Sequence, residues 1–308
     1  MKNRIYYFDT IKFWLMMFVI IHHCSLPYLT LNGSEWVKYF FCLISFTMPT
    51  FTMISGYFFK EKSFLNRVSS YLIPGILFSA INILVAKLSP LESINNRPIT
   101  QLGYAMWFFF ALFIYTVFTQ IVIKKVPALI LLLGSFVFAI IVCRFSFFNH
   151  DVFQLSRIIS HYPFFLIGIV LKEKDLLRFR EHKKVRILSF LIFAIIYIGN
   201  FIISKHIKKL LFVTAFDHPT SPIYESYGIL LCSVLSICIL LFTPDKKYIT
   251  TKLGSRTLAP YLLHMCIVFP ICWTIGLPYI NTWYGIIIYM IATPILCLVL
   301  FNSKRMVY

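Results

Sequence analysis

The first hydrophobic stretch, from Arg4 to Cys24, carries Asp9, Lys12 and the pair His22–His23. Ionisable side chains at membrane depth are costly unless they face a polar cavity or a partner, so they indicate function. At about 100° per residue on a helix, Lys12 and His23 project within roughly 20° of each other, and Asp9 lies about 40° from His23. His22 is turned about 100° away and need not share that face. One helix face is therefore predicted to hold an acid–base pair near one membrane surface and, roughly 16 Å further along, an imidazole.

The same residues also admit a purely structural explanation. Asp9 and Lys12 are spaced i, i+3, so they can form an ion pair whose lysine reaches the membrane interface. The histidines can then simply end the helix. The stripe that Asp9, Lys12 and His23 share with Met16 and Val19 favours the functional face.

The composition is that of a membrane protein. Of the 308 residues, 59% are hydrophobic, 18% are aromatic and 13% are charged, which is typical of integral membrane proteins and of no soluble class. The first apolar run is long, so we expect it to be retained as a membrane span rather than cleaved as a signal. Residues 1–308 show no clear inverted repeat and no separate soluble region, and we interpret them as one transmembrane domain.

The net charge of +18 does not indicate a nucleic-acid partner. The basic residues cluster in short loops between apolar runs, where the positive-inside rule places them, and no aromatic-interleaved basic groove is evident. The cysteines lie in or beside apolar segments without a CxxC motif, which predicts buried thiols rather than disulfides or a metal site. They are Cys24, Cys42, Cys143, Cys232, Cys238, Cys266, Cys272 and Cys297.

The apolar runs predict about ten transmembrane helices. They cover residues 6–28, 36–59, 70–88, 104–123, 126–144, 154–171, 186–204, 222–243, 257–276 and 283–302. An even count places both termini on one side, which then carries twenty of the 29 Lys and Arg residues, against seven on the other. The loop-charge bias makes the richer side cytoplasmic. The sequence thus predicts an all-α integral membrane protein, multi-pass in the inner or cytoplasmic membrane, with both termini cytoplasmic.

Three further spans carry features that interrupt an apolar helix. In the second span, Pro49 and Ser55–Gly56 indicate either a break that lines a cavity or a close-packed small-residue face. In the sixth span, Arg157 and His161 lie one turn apart and either enter a polar cavity or, for Arg157, reach the outer interface. In the ninth span, His264 is another intramembrane imidazole, of a kind that more often bonds a neighbouring helix than catalyses.

These segments, in this order, resemble membrane-bound acyltransferase family 3, especially its short members described as fucose 4-O-acetylase-like. On the first span, Lys12 followed by His23 is similar to the family's pattern of a basic residue, ten intervening residues and a histidine. The other matching motifs are Met48-Pro49 with Ser55-Gly56-Tyr57, Trp107-Phe108 with Leu112-Phe113, Arg157 with Pro163-Phe164-Phe165 and Gly168, and Ser255 with Tyr261 to His264. Together they extend over nearly the whole chain.

The chain departs from the family pattern at two positions. Phe13 follows the basic residue of the first span, where the family usually has Gly. In the basic stretch that begins at Lys60, Arg67 matches the first residue of the family's Arg-x-x-Arg pair, and Ser70 replaces the second. Such a loop suits an anionic ligand and anionic lipids equally.

The resemblance implies an O-acetyltransferase that moves an acetyl group from acetyl-CoA to a hydroxyl of an envelope polysaccharide or its lipid-linked precursor, without a metal. His23 would act on the acetyl group as a general base or as an acyl-imidazole carrier, and Asp9 and Lys12 would order the channel entrance. The basic cytoplasmic face suits the anionic donor. The candidate donor- or substrate-binding residues are Arg67, Ser55, Tyr57, Trp107, Arg157, His161, Ser255, Tyr261 and His264.

Two other functions stay open at this point. Intramembrane ionisable residues and a kinked helix equally suit a transporter or flippase of a lipid-linked saccharide or small anion. A catalytically inactive relative that serves as an assembly partner is the third reading. The sequence does not identify the acceptor sugar, its hydroxyl, the acyl group or the oligomeric state.

Overall fold

The computed structural model describes residues 6–31, 45–90, 104–142, 145, 154–206, 221–276 and 282–301, and over these ranges the chain is helical, without strands. The α-helices are α1 Tyr6–Leu31, α2 Thr47–Tyr57, α3 Phe64–Arg67, α4 Ile73–Lys87, α5 Trp107–Val122, α6 Ala128–Val142, α7 Leu155–Glu173, α8 Lys183–His206, α9 Pro222–Phe242, α10 Ile249–Gly254, α11 Leu258–Leu263, α12 Met265–Ile271 and α13 Trp283–Phe301. A π-helical turn, Val68–Leu72, joins α3 to α4, and a second one, Cys272–Gly276, follows α12. The all-α prediction is confirmed for the described residues.

Each predicted span contains a described helix, and five helical segments are long and apolar enough to cross a membrane. They are Phe64–Lys87, Leu155–Glu173, Lys183–Ile203, Pro222–Phe242 and Trp283–Phe301. The helices α5 and α6 and the segment Met265–Gly276 are apolar but shorter. The count of ten crossings and the cytoplasmic termini stay predictions, and residues 1–5 and 302–308 lie outside the described ranges. Of the predicted second span, residues 32–44 also lie outside them.

The helices α7 and α9 lie at the centre of the bundle. Most of each is buried, whereas Phe64–Lys87 and α8 expose apolar side chains along most of their length. A helix that is apolar all round and unburied is adapted to lipid rather than to water. The central position of α7 brings its polar residues, Arg157 and His161, against neighbouring helices instead of lipid.

The crossing of α2 and α7 depends on two glycines. A Cβ atom on Gly56 would overlap the carbonyl oxygen of Phe165, and one on Gly168 would overlap the carbonyl oxygen of Met53. Small residues allow helix backbones to approach this closely within a membrane. The close-packing prediction for Ser55–Gly56 is confirmed. Pro49 lies in the first turn of α2, after a turn at residues 45–46, where its missing N–H costs little.

Gly56→Ala should therefore destabilise the protein, because neither backbone can move without opening the α2–α7 contact. Overpacking of this kind costs about 1–3 kcal/mol, measured as a lower thermal midpoint of the purified protein in detergent. The matched control is Gly134→Ala on α6, where a Cβ meets no described atom within 4 Å. Since Ala favours helix by up to about 1 kcal/mol over Gly, the control should be neutral or stabilised. Equal midpoints for the two variants would contradict the packing argument.

The N-terminal end of α1 is held by the segment between α9 and α11. The backbone N–H of Tyr7 donates to Asp245 Oδ1 at 3.1 Å, and the hydroxyls of Thr10 and Thr251 lie 2.9 Å apart. Gly254, at the end of α10, touches the backbone of α1, since a Cβ there would overlap the carbonyl oxygen of Asp9. These contacts fix the position of α1 along its own axis and its rotation about that axis, and α1 carries Asp9, Lys12 and His23.

Arg180, in the 3₁₀ helix Leu176–Glu181, contacts the same N-terminal end of α1. Its guanidinium carbon lies 3.6 Å from the centre of the Tyr7 ring, and its Nη2 donates to the carbonyl oxygen of Thr243 at 2.6 Å. Burial lowers the pKa of the Arg180 guanidinium from its usual value. Its Nη1 lies 3.7 Å from Asp245 Oδ2.

Candidate active site

Two imidazoles meet between α1 and the junction of α11 with α12. The ring centres of His23 and His264 lie 5.0 Å apart, with 39° between the ring planes. His264 is completely buried at the turn between the two short helices. The candidate residue of the first span and that of the ninth span are thus brought into one site, although 241 positions separate them in the sequence.

The hydrogen bond of the His264 ring shows which of its two nitrogens can accept a proton. Its Nδ1 lies 2.6 Å from the carbonyl oxygen of Tyr261. A carbonyl can only accept, so Nδ1 carries the proton, and in the neutral ring Nε2 holds the lone pair. His264 Nε2 is buried and has no hydrogen-bond partner among the described residues. The Tyr261 hydroxyl in turn donates to the carbonyl oxygen of Ala105 at 2.6 Å, which ties the backbone that orients His264 to the start of α5.

Arg157, His161 and Trp107 form the second half of the site. The Arg157 guanidinium carbon lies 5.2 Å from the centre of the Trp107 ring, a cation–π geometry. The Trp107 ring centre lies 4.9 Å from that of His161. His161 Nδ1 lies 2.9 Å from the Arg157 carbonyl oxygen, so this nitrogen is also a donor, and Nε2 faces away from the carbonyl. Arg157 and His161 thus pack with Trp107 between helices, and the polar cavity stays a prediction.

His22 belongs to this site as well, although its angle on α1 had separated it from the stripe. Its ring centre lies 5.2 Å from that of His23, and the side chains of Arg157 and His264 interact electrostatically with it. A site enclosed by several helices can use more than one face of α1, which a single-helix projection does not reveal. We call His22, His23, His161 and His264, together with Arg157 and Trp107, the imidazole cluster.

Glu225 is a buried acid that the sequence analysis did not single out. It lies in the first turn of α9, is 3% exposed and hydrogen-bonds Ser160, which precedes His161 on α7. Its signal in the sequence is a lone carboxylate at the start of an apolar span, of the type that marks Asp9. Glu225 thus places a carboxylic acid next to the helix turn that carries His161.

Asp9 and Lys12 form the predicted ion pair near the start of α1. Lys12 Nζ lies 2.8 Å from Asp9 Oδ1, and the side chains are 31% and 8% exposed respectively. Lys12 and His23 lie eleven positions apart on a continuous helix, a rise of roughly 16 Å. The pair therefore lies near one end of the helix and the imidazole cluster well inside the bundle, as the spacing predicts.

Lys12→Met should destabilise the protein more than Asp9→Asn does. Removal of the lysine leaves a nearly buried carboxylate without its cation, at a cost of about 1–3 kcal/mol, whereas a lysine without its carboxylate can extend to the interface. The double variant Asp9→Asn/Lys12→Met should recover much of the loss, measured as the thermal midpoint in detergent. Midpoints equal to that of wild type in both single variants would show that the pair contributes nothing to the fold.

The remaining candidate residues bond elsewhere. Arg67 is 3% exposed, and its guanidinium hydrogen-bonds the Gln120 side chain, which also accepts from the Lys62 backbone N–H at 3.0 Å. The hydroxyls of Ser55 and Ser255 donate to backbone carbonyls one turn earlier, those of Phe51 and Lys252. Tyr57 packs its ring 5.0 Å from that of Phe8. Arg67 thus joins the loop before α3 to α5, and the two serines make local helix bonds.

The fold and the site together define a helical membrane protein whose centre holds several imidazoles and a guanidinium, the side chains of proton and acyl transfer. The family model of the acyltransferase domain (Acyl_transf_3) matches residues 5–302, and the chain belongs to acyltransferase family 3. The protein is accordingly a membrane acyltransferase. No curated protein and no solved structure matches the chain.

Proposed function

We propose that the protein transfers an acetyl group from cytoplasmic acetyl-CoA to a hydroxyl of a cell-surface polysaccharide or of its lipid-linked precursor. The observation that carries the proposal is the contact between His23 and His264 inside the helix bundle, at 5.0 Å between ring centres. Oxygen acylation requires a base for the hydroxyl proton and a site that excludes water. The pair would supply the base, and His264 is completely buried, with no hydrogen-bond partner for its Nε2 among the described residues.

In the direct version of the reaction, an imidazole of this pair removes the proton from the acceptor hydroxyl. The oxygen attacks the thioester carbonyl, a new C–O bond forms, and the C–S bond breaks. The coenzyme leaves as a thiolate and takes up the proton that the imidazole received. Arg157, whose guanidinium lies over the Trp107 ring, would bind an anionic group of the acceptor and orient its hydroxyl.

In the two-step version, a ring nitrogen of His23 attacks the thioester carbonyl, a C–N bond forms, the C–S bond breaks and the coenzyme leaves as a thiolate. The acceptor hydroxyl then attacks this acyl-imidazole, a C–O bond forms and the C–N bond breaks, which frees His23. His264 Nε2 would take up the hydroxyl proton in this second step and pass it to the thiolate. Incubation with labelled acetyl-CoA and no acceptor separates the versions. Label that stays on the protein and is released by hydroxylamine indicates the intermediate, and full turnover without such label indicates direct transfer.

The donor would approach from the cytoplasmic side. The loops assigned to that side hold most of the basic residues, and a positive surface concentrates an anionic ligand such as acetyl-CoA. Lys12, part-exposed near the start of α1, would lie at the mouth of the route to His23. The loop before Arg67 carries the exposed Lys60 and Lys62 on the α3–α5 side, and Arg67 ties that loop to Gln120 on α5.

The test uses the purified protein in lipid nanodiscs with radiolabelled acetyl-CoA and a saccharide acceptor. Label in an alkali-labile ester of the saccharide is the expected result. In cells, deletion of the gene should remove O-acetyl signals from the proton NMR spectrum of the surface glycans, and re-expression should restore them. Unchanged signals after deletion, together with no transfer in nanodiscs by folded protein, would overturn the proposal.

A further inference from the structure

A pocket of about 320 Å³ opens between the first turns of α8 and the end of α9. Its volume lies within the range of small-molecule sites, about 300–1,000 Å³. It shares no wall residue with the imidazole cluster. Two basic and four apolar residues line it, and we call it the α8–α9 pocket; they are Lys183, Arg186, Ile187, Phe190, Phe242 and Pro244.

The charge of the α8–α9 pocket comes from Lys183 and Arg186, one turn apart on α8. Neither side chain has an ion-pair partner among the described residues. Lys183 is exposed and Arg186 is half-buried, and the first turn of α8 contains no acidic residue. The two cations are therefore available to an anion in the pocket, with which they can form charge-assisted hydrogen bonds.

The surroundings of the pocket are basic as well. Residues 178–186 and 244–247 hold seven Lys and Arg residues against two acids, Glu181 and Asp245. Asp245 is already paired, since its Oδ2 lies 3.7 Å from Arg180 Nη1. These segments lie on the side predicted to be cytoplasmic, where the membrane leaflet carries anionic lipid. The pocket thus opens on a positive surface that faces a negative one.

The apolar wall of the pocket continues along α8. Ile187 and Phe190 are each exposed over about half of their surface, and the Phe190 ring meets that of Phe242 edge-on, at 5.7 Å between centres. Lys183 and Phe190 lie seven positions apart, a rise of roughly 10 Å. Since the headgroup layer on each side of a bilayer is about 5–8 Å deep, the pocket extends from that layer into the hydrocarbon. A free phosphate or a nucleotide would leave this wall uncovered, whereas an acyl chain covers it.

We propose that the α8–α9 pocket binds an anionic phospholipid, with the lipid phosphate at Lys183 and Arg186 and an acyl chain along the apolar wall. Charge complementarity selects the headgroup, and the apolar wall selects a lipid over a water-soluble phosphate. The lipid would join α8 to the end of α9. Pro244, in the wall, directly precedes Asp245, which bonds the N-terminal end of α1. This inference goes beyond the proposed acetyl transfer and does not depend on it.

The first experiment measures binding and needs no turnover. The purified protein in a non-ionic detergent is titrated with phosphatidylglycerol or with phosphatidylcholine of the same acyl chains, and native mass spectrometry counts the bound lipids. Phosphatidylglycerol should bind about tenfold more tightly than phosphatidylcholine, and neither inorganic phosphate nor coenzyme A should displace it. Equal affinity for the two lipids would overturn the proposal. Displacement by phosphate or coenzyme A would overturn it too, because the pocket would then be a site for soluble anions.

The second experiment changes the charge of the pocket. Lys183→Gln/Arg186→Gln should weaken the binding of phosphatidylglycerol about tenfold or more and leave that of phosphatidylcholine unchanged. Lys183→Arg/Arg186→Lys keeps both charges and should bind as wild type. The matched control is Lys124→Gln/Lys125→Gln, which removes two exposed charges from the turn between α5 and α6 on the same predicted side. It should also bind as wild type.

The comparison of the two Gln variants decides between the pocket and the basic surface as a whole. Equal loss of binding in both would indicate a general attraction of anionic lipid to positive charge and refute the pocket, as would unchanged binding in Lys183→Gln/Arg186→Gln. Phosphatidylglycerol should also raise the thermal midpoint of the wild-type protein, because a ligand of the folded state stabilises it. That rise should disappear in Lys183→Gln/Arg186→Gln, and an equal rise there would place the stabilising lipid elsewhere. No readout uses acetyl transfer, so failure of the proposed function would leave this result intact.

Discussion

His23→Ala is expected to reduce acetyl transfer by about 10²–10⁴-fold, the contribution of a positioned acid–base group. The ring centre of His23 lies 5.0 Å from that of His264 and 5.2 Å from that of His22, so its loss removes one imidazole of the pair that carries the proposed reaction. Turnover is measured with radiolabelled acetyl-CoA and purified protein in nanodiscs. The amount of protein in the membrane and its elution as a single species should match wild type.

The matched control is His182→Ala, which removes an exposed imidazole between Leu176–Glu181 and α8 and should leave turnover unchanged. Added imidazole should partly restore transfer to His23→Ala, because the truncation leaves space of the shape of the missing ring. Rescue of this kind separates a chemical role from a structural one. Turnover by His23→Ala close to that of wild type would remove His23 from the mechanism.

The parts of the site that the sequence predicts are those within a single helix. Asp9 and Lys12 form their ion pair because i, i+3 spacing on a helix puts them side by side, and that geometry holds whatever surrounds α1. Helix geometry likewise predicts the distance along α1 between Lys12 and His23. Secondary structure follows the apolar runs for the same local reason, since each run is long enough to form a helix and too apolar to remain in water.

The contacts between helices could not be predicted, because they depend on which helices cross. His23 faces His264 only because α1 packs beside the α11–α12 junction, and no local period encodes that neighbour. Gly254 reads in the sequence as an ordinary loop glycine, yet it is required because α1 touches α10 there. For the same reason, projection on α1 alone left His22 outside the cluster.

The family motifs indicate where their residues lie along the helices, but not which residues they contact. Ser55 and Ser255 lie in matching motifs, and their hydroxyls bond carbonyls of the preceding turn. Arg67 lies in a matching motif too, and its guanidinium binds Gln120, a residue that no motif singled out. A motif fixes where a residue lies along a helix, whereas its partner depends on the packing of the bundle.

The second large effect is expected at His264, where two amide replacements separate its nitrogens. Asn places an amide N–H near the position of Nδ1 and can keep the hydrogen bond to the Tyr261 carbonyl oxygen, whereas Gln places its amide near Nε2 and gives that bond up. Loss of one buried hydrogen bond costs about 1–3 kcal/mol when its partner is left unsatisfied. The thermal midpoint should therefore fall in His264→Gln and stay near wild type in His264→Asn.

Transfer should fall in both variants, by about 10²-fold or more, because an amide cannot take up the proton that Nε2 accepts. The informative variant is His264→Asn, which combines a wild-type midpoint with lost turnover and so assigns the loss to Nε2 rather than to the fold. If His264→Asn instead turns over like wild type, His264 only supports the packing of α11 and α12. His23 would then have to receive the hydroxyl proton alone, and the direct version of the reaction would rest on a single imidazole.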